Sequence, residues 1–164
     1  MTKFARILRL ISLAILCGGG IGIVFAAITL VHAAKAQGVP VADAAAANAP
    51  IFLEFAKVAA SFAIALVVAE AIEIKGDLKN LEKRHKWPMA RYFSSIIAAV
   101  AAFIFSFGIV PPMKELQPKI KTETAAKVEF DRLHEVSRGV FSAMIVFAMA
   151  SLIIPVLASN RTMD

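Results

Sequence analysis

Histidine and serine side chains near the carboxyl-terminal third of the chain are the first candidates for chemistry. His134 and Ser137 stand three positions apart in a polar segment that leads into an apolar one. A hydrolase would need a third orienting group and an oxyanion hole, and neighbours at i and i+3 on one helix rarely face each other as base and nucleophile. The sequence also lacks a phosphate-binding glycine loop, an HExxH motif and a paired-cysteine motif. We therefore expect a protein that is not an enzyme.

The composition assigns the chain to the membrane proteins. Of its 164 residues 59% are hydrophobic, and its mean hydropathy is +0.74. A water-soluble domain of this size exposes a large share of its surface and needs polar groups to cover it. We therefore expect a lipid environment.

Four apolar stretches predict membrane-spanning helices at about residues 8–34, 50–74, 90–113 and 136–159. A bilayer core of about 30 Å takes roughly 20 helical residues to cross, and the stretches lack the alternation of a membrane barrel. The second stretch carries Glu54 and Lys57 at one end and Glu70 and Glu73 at the other, which we place near the two interfaces. The predicted fold is all-α, a polytopic four-transmembrane-helix bundle in one domain, 1–164.

The distribution of basic residues predicts the orientation. Arg9 and two other basic residues lie at or before the start of the first span without any acid. The connection between spans two and three, with the first residues of span three, carries Lys75, Lys79, Lys83, Arg84, Lys86 and Arg91. Basic residues are retained on the cytoplasmic side, so both termini should be cytoplasmic or on the equivalent face of an internal membrane. This topology and the attraction of anionic lipid account for the net charge of +6, so we do not expect nucleic-acid binding.

The segment before the fourth span is predicted to be an amphipathic external extension. Pro111 and Pro112 should end the third span, and residues 119–138 have helical spacing of apolar residues. On such a helix Phe130, His134, Ser137 and Phe141 share one face, which we expect to pack toward the other helices.

Topology then places His32, Glu54, Lys57, Met113 and His134 at one depth near the external surface. His134, His32 and Glu54 could bind copper or zinc, with Met113 as a further ligand. Two histidines could also hold a haem, so the cofactor stays open. The alternative is an interfacial polar network in which Glu54 pairs with Lys57 or Arg138.

Small residues in the first span predict a close helix contact. Gly18 and Gly22 have the GxxxG spacing, which suits a groove for another helix of the same bundle or a dimer face. Cys17 is the only cysteine and excludes a disulfide within the chain.

Several landmarks together resemble one family. Pro50 and Phe52 open the second span, Pro111 closes the third, and Phe130, His134 and Ser137 form a spaced element. In these positions the chain resembles the transmembrane protein 205-like proteins, a four-span domain of unknown function. The resemblance implies a membrane location and a four-span fold with these landmarks on one side, and it implies no biochemical role. Arg138 after the serine, and Glu54 and Lys57, depart from the family pattern.

The smooth Ala- and Gly-rich spans favour an accessory or scaffolding subunit of a larger membrane complex. Its partners would be the lipid bilayer and other membrane protein subunits. The alternative is copper or zinc binding or transport, followed by a haem- or pigment-binding subunit.

Overall fold

A computed structural model describes residues 2–77 and 86–160, and every element in these two ranges is helical. The α-helices are α1 Thr2–Ala14, α2 Gly20–Ala36, α3 Val41–Asp77, α4 Lys86–Phe103, α5 Val110–Leu116 and α6 Thr124–Asn160. A π-helical turn, Ile15–Gly19, joins α1 to α2, and another, Ile104–Ile109, joins α4 to α5. Lys79, Lys83 and Arg84 of the predicted basic connection lie outside the described residues.

Within residues 2–77 and 86–160, four helical stretches are long and apolar enough to cross a membrane. They are span 1 Lys3–Ala36, span 2 Ala47–Gly76, span 3 Trp87–Lys119 and span 4 Thr124–Ala158. The chain is thus a multi-pass membrane protein, and the predicted all-α four-helix bundle is confirmed. The spans have 30 to 35 residues, well above the roughly 20 that a bilayer needs, so each helix extends beyond the hydrocarbon.

Contacts between the spans show which helix ends meet. Arg9 of span 1 and Arg91 of span 3 both pair with Glu73 of span 2, and Ser95 of span 3 bonds to Ser151 of span 4. The start of span 1, the end of span 2, the start of span 3 and the end of span 4 therefore share one end of the bundle, which we name the charged end. At the opposite end, the far end, the Asn48 amide donates to the carbonyl of Ala27.

The core combines small residues with one aromatic cluster. Alanines from spans 2 and 3 are buried and allow close helix approach; they include Ala56, Ala59, Ala63, Ala98 and Ala102. Toward the far end, the ring of Phe141 lies 4.9 Å from that of Phe105, 5.7 Å from Phe55 and 6.2 Å from Phe52. Edge-to-face contacts of this kind add to the burial of each ring.

The prediction that Pro111 and Pro112 end the third helix is wrong. Helix α5 continues through both prolines to Leu116, and they occupy its first turn. The preceding turn is π-helical, and Val110 donates its N–H to the carbonyl of Phe105, five residues back. The widened turn accommodates the proline rings, and first-turn positions need no N–H. Pro50 lies inside α3, which begins well before it, and close to the start of span 2.

Gly19 and Gly20 are the glycines that bring span 1 close to its neighbours. A Cβ atom on Gly19 would lie 3.0 Å from Phe55, and one on Gly20 would lie 2.9 Å from Ile145. At Gly18 and Gly22 a Cβ atom would meet nothing within 4 Å. The predicted groove for another helix of the same bundle is therefore wrong, whereas the dimer face stays a prediction. The π-helical turn at Ile15–Gly19 changes which glycines face inward.

Candidate functional site

The side chains predicted to converge at the far end are mostly on the surface. His32 and His134 are exposed and Met113 is half-buried. Glu54 and Lys57 are exposed too and form an ion pair of 2.6 Å, as the polar-network alternative predicted. Among residues 2–77 and 86–160 no group of three or more His, Cys, Asp or Glu side chains is placed to hold a metal ion. The set His134, His32 and Glu54 is thus not such a group, and the metal and haem hypotheses stay predictions without geometric support.

The predicted inward face of α6 is correct in part. Ser137 and Phe141 are buried, Phe130 is half-buried, and His134 is exposed. With 100° between successive residues, His134 lies about 60° from the mean direction of the inward residues. Those inward residues are Ala126, Ser137, Phe141, Met144, Ala148 and Ser151.

The Ser137 hydroxyl does not point to a base. It donates to the carbonyl oxygen of His134 at 2.7 Å, while the His134 ring stacks on Phe130 with centroids 6.5 Å apart. A hydroxyl bonded back to its own helix is satisfied locally. This geometry offers no nucleophile and base pair.

A buried group of four charged residues at the charged end is the most distinctive polar site among the described residues. Arg9, Glu70, Glu73 and Arg91, which we name the charge cluster, have side chains between 3% and 12% exposed. Arg91 donates to Glu73 through Nη1 and lies 3.5 Å from Glu70 through Nη2. Arg9 Nε lies 3.5 Å from Glu73 Oε1. Two positive and two negative groups thus meet where three spans come together.

Helix geometry explains how these side chains meet. Glu70 and Glu73 are three residues apart on α3, so both project from one face of span 2. Arg91 lies near the start of α4 and Ser95 follows it by one turn. Ser95 and Ser151 share a hydrogen bond of 2.6 Å, which brings span 4 to the same level.

The charge cluster has two positive and two negative groups and is formally neutral. This balance lowers the free-energy cost of burying it near lipid. Burial of an unpaired charge costs several kcal/mol, and a close opposite charge offsets much of that cost. Some polar atoms of the cluster have no hydrogen-bond partner in the described part of the protein; they are Arg9 Nε and Nη1, both Glu70 oxygens and Glu73 Oε1. Water can form hydrogen bonds with both the guanidinium nitrogens and the carboxylate oxygens, since it accepts from a guanidinium and donates to a carboxylate.

The charge cluster is not among the sites predicted from the sequence, in which Glu70 and Glu73 are assigned to the interface and Arg9 and Arg91 indicate only the orientation. The available signal was that opposite charges occur near the ends of three successive spans, and that alternating span direction brings those ends together. Serines one turn further into the spans, Ser12 after Arg9 and Ser95 after Arg91, are a second signal.

Comparison with protein-family models, curated proteins and solved structures finds no match to this chain. The resemblance to the transmembrane protein 205-like proteins therefore stays a prediction.

Proposed function

We propose that this protein is a non-catalytic accessory subunit of a larger membrane assembly and that span 1 contacts the partner. The observation that carries the proposal is the outward position of Gly18 and Gly22. A Cβ atom at either position would have open space around it. Glycine lowers helix stability relative to alanine, and packing within the bundle does not require it here. A second helix could approach this face closely.

The surroundings of these glycines support the same proposal. Phe25, one turn beyond Gly22, is 71% exposed, and Ile21 and Ile28 are exposed as well. Large side chains beside a glycine groove provide the ridges and hollows with which membrane helices interlock. The charge cluster, in contrast, is enclosed by spans of the same chain and is not on this surface.

Photo-crosslinking in native membranes tests the proposal. A photoreactive residue at position 22 should give an adduct with a second polypeptide of defined mass. The same residue at position 139 is the matched control, because Gly139 is exposed on span 4 and has open space around it. We expect no defined adduct from position 139.

A second variant separates contact from chance proximity. Gly22→Leu should abolish co-purification of the crosslinked polypeptide in mild detergent, whereas Gly139→Leu should preserve it. Isolation of a lone monomer, together with no defined adduct at position 22, would overturn the proposal.

A further inference from the structure

An open groove of about 570 Å³ lies between spans 1 and 2 toward the far end. Its walls are mainly apolar and include Ile23 of span 1 and Ile51, Phe55 and Val58 of span 2. The groove is open to its surroundings and its wall contains few polar groups, so it differs from an enclosed small-molecule site. An apolar ligand that is abundant in the surroundings of the protein would suit it.

The groove also has both signs of charge beside its apolar wall. Glu54 and Lys57 line it and pair at 2.6 Å, yet their side chains are 69% and 72% exposed. Each group therefore keeps part of its hydrogen-bonding capacity free for a ligand.

The position of this pair along span 2 agrees with the lipid headgroup region. Glu54 and Glu73 belong to the same helix, α3, and at 1.5 Å per residue they are separated by about 29 Å along its axis. This separation is about one hydrocarbon thickness. With the charged end at one boundary of the bilayer, Glu54 and Lys57 lie at the other.

We propose that this groove binds a phospholipid with a zwitterionic headgroup that carries a primary ammonium, the ethanolamine type. The phosphate pairs with the Lys57 ammonium, the lipid ammonium pairs with the Glu54 carboxylate, and an acyl chain lies against Phe55 and Val58. The charges of ligand and site are complementary, and binding leaves the net charge unchanged. The Lys57 ammonium and the Glu54 carboxylate, which lie beside the hydrocarbon, thereby gain charged partners that the acyl chains cannot offer.

The two charges also predict selectivity among headgroups. A primary ammonium donates hydrogen bonds to a carboxylate, as a lysine does. The quaternary ammonium of choline has no N–H to donate, and a glycerol headgroup offers no cation to Glu54. The expected order of affinity is ethanolamine, then choline, then glycerol.

Native mass spectrometry of the full-length protein tests this site, with phosphatidylethanolamine, phosphatidylcholine and phosphatidylglycerol supplied at equal concentrations. We expect the wild type to retain one phosphatidylethanolamine in preference to the other two lipids. Glu54→Gln should lower the preference for ethanolamine over choline about tenfold, the effect of one charge-assisted hydrogen bond. Val58→Trp, which fills the groove, should reduce retention of all three lipids.

The matched control is a second exposed pair of the same spacing. Glu129 and Arg132 pair at 2.7 Å on α6 and do not line the groove. Glu129→Gln should therefore leave lipid preference unchanged. Equal retention of the three lipids by the wild type, or the same loss from Glu129→Gln as from Glu54→Gln, would overturn the proposal. So would a defined polypeptide adduct from a photoreactive residue at position 57. None of these results depends on a protein partner at Gly22.

Discussion

Arg91 is the residue through which the charge cluster is joined. Its guanidinium reaches Glu73 and Glu70 on span 2 and stacks over the Tyr92 ring at 4.1 Å. Its carbonyl oxygen lies 3.5 Å from the Ser151 hydroxyl of span 4. One residue of span 3 thus contacts two other spans, and its loss leaves two buried carboxylates with only Arg9 to balance them.

Replacing Arg91 should therefore destabilise the bundle strongly. Arg91→Met keeps most of the side-chain volume and removes the charge, and breaking a buried ion pair in this way costs about 3–5 kcal/mol. Unfolding in mixed micelles with increasing sodium dodecyl sulfate measures this loss. Arg138→Met, at an exposed position of span 4, is the control and should leave the midpoint unchanged. Equal midpoints for the two variants would contradict a stabilising role for the cluster.

The glycines of span 1 offer a second test at this scale. Gly20→Ala should destabilise by about 1–3 kcal/mol, because its Cβ atom would lie 2.9 Å from Ile145 Cγ1 and force that side chain to move. Gly22→Ala has open space and should be neutral or slightly stabilising. Unfolding in sodium dodecyl sulfate measures the stability of both variants. A larger loss of stability from Gly22→Ala than from Gly20→Ala would refute the inward position of Gly20.

The two π-helical turns described above explain the main differences between the expected helices and the observed ones. A π-helical turn contains one residue more than an α-helical turn, so the residues after it face a different direction from that expected of an unbroken α-helix. In span 1 this places Gly19 and Gly20 against neighbours. In span 3 it allows the helix to continue through Pro111 and Pro112.

Removing the additional residue should be tolerated where the turn is π-helical. Deletion of Gly108, in the turn Ile104–Ile109, lets that turn become α-helical while the inward faces on both sides are kept. Deletion of Val146, an exposed residue of the unbroken α6, instead rotates every later residue of span 4 by about 100°. Ser151 and Ala148 would then leave the core.

Size-exclusion chromatography of the two deletion variants in detergent is the measurement. We expect a single symmetric peak for the Gly108 deletion and aggregation for the Val146 deletion. Aggregation of both to the same extent would show that the π-helical turn does not absorb a change in length.

At the scale of the whole molecule, the two ends of the bundle are held together differently. The charged end has ionic and hydroxyl contacts that connect all four spans. Toward the far end the spans meet through the rings around Phe141, and an exposed ion pair of 3.5 Å links Lys121 to Asp43. The basic residues beside the charged end support the proposal that this end faces the cytoplasm.

Cysteine labelling in intact cells tests the orientation. Both variants should be made in a Cys17→Ala background, which removes the single native thiol. Lys121→Cys should react with a membrane-impermeant maleimide from outside, whereas Lys3→Cys should react only after permeabilisation. The reverse pattern would contradict the proposed orientation and would place the groove toward the cytoplasm.

The sequence predicts the spans and the extension of the fourth helix because long apolar runs and helical spacing are local properties. The Glu54 and Lys57 pair was also predictable, since the two are neighbours on one helix. The charge cluster depends on which helices pack together, and charges near span ends are ordinarily assigned to the interface. The helical spacing of His134 from Phe130 and Phe141 predicts an inward position, but His134 lies at the edge of the inward face.

The dependence of Arg9 on residues far along the chain has a consequence for translation. The ribosome completes span 1 before it makes Glu70 and Glu73, and Arg91 follows later still. A nascent chain that ends between Glu73 and Arg91 holds only one guanidinium and two carboxylates of the charge cluster, and burial of that unbalanced set carries a charge penalty. We therefore expect the charge cluster to close only after Arg91 has emerged, so that span 1 reaches its final packing late in biosynthesis.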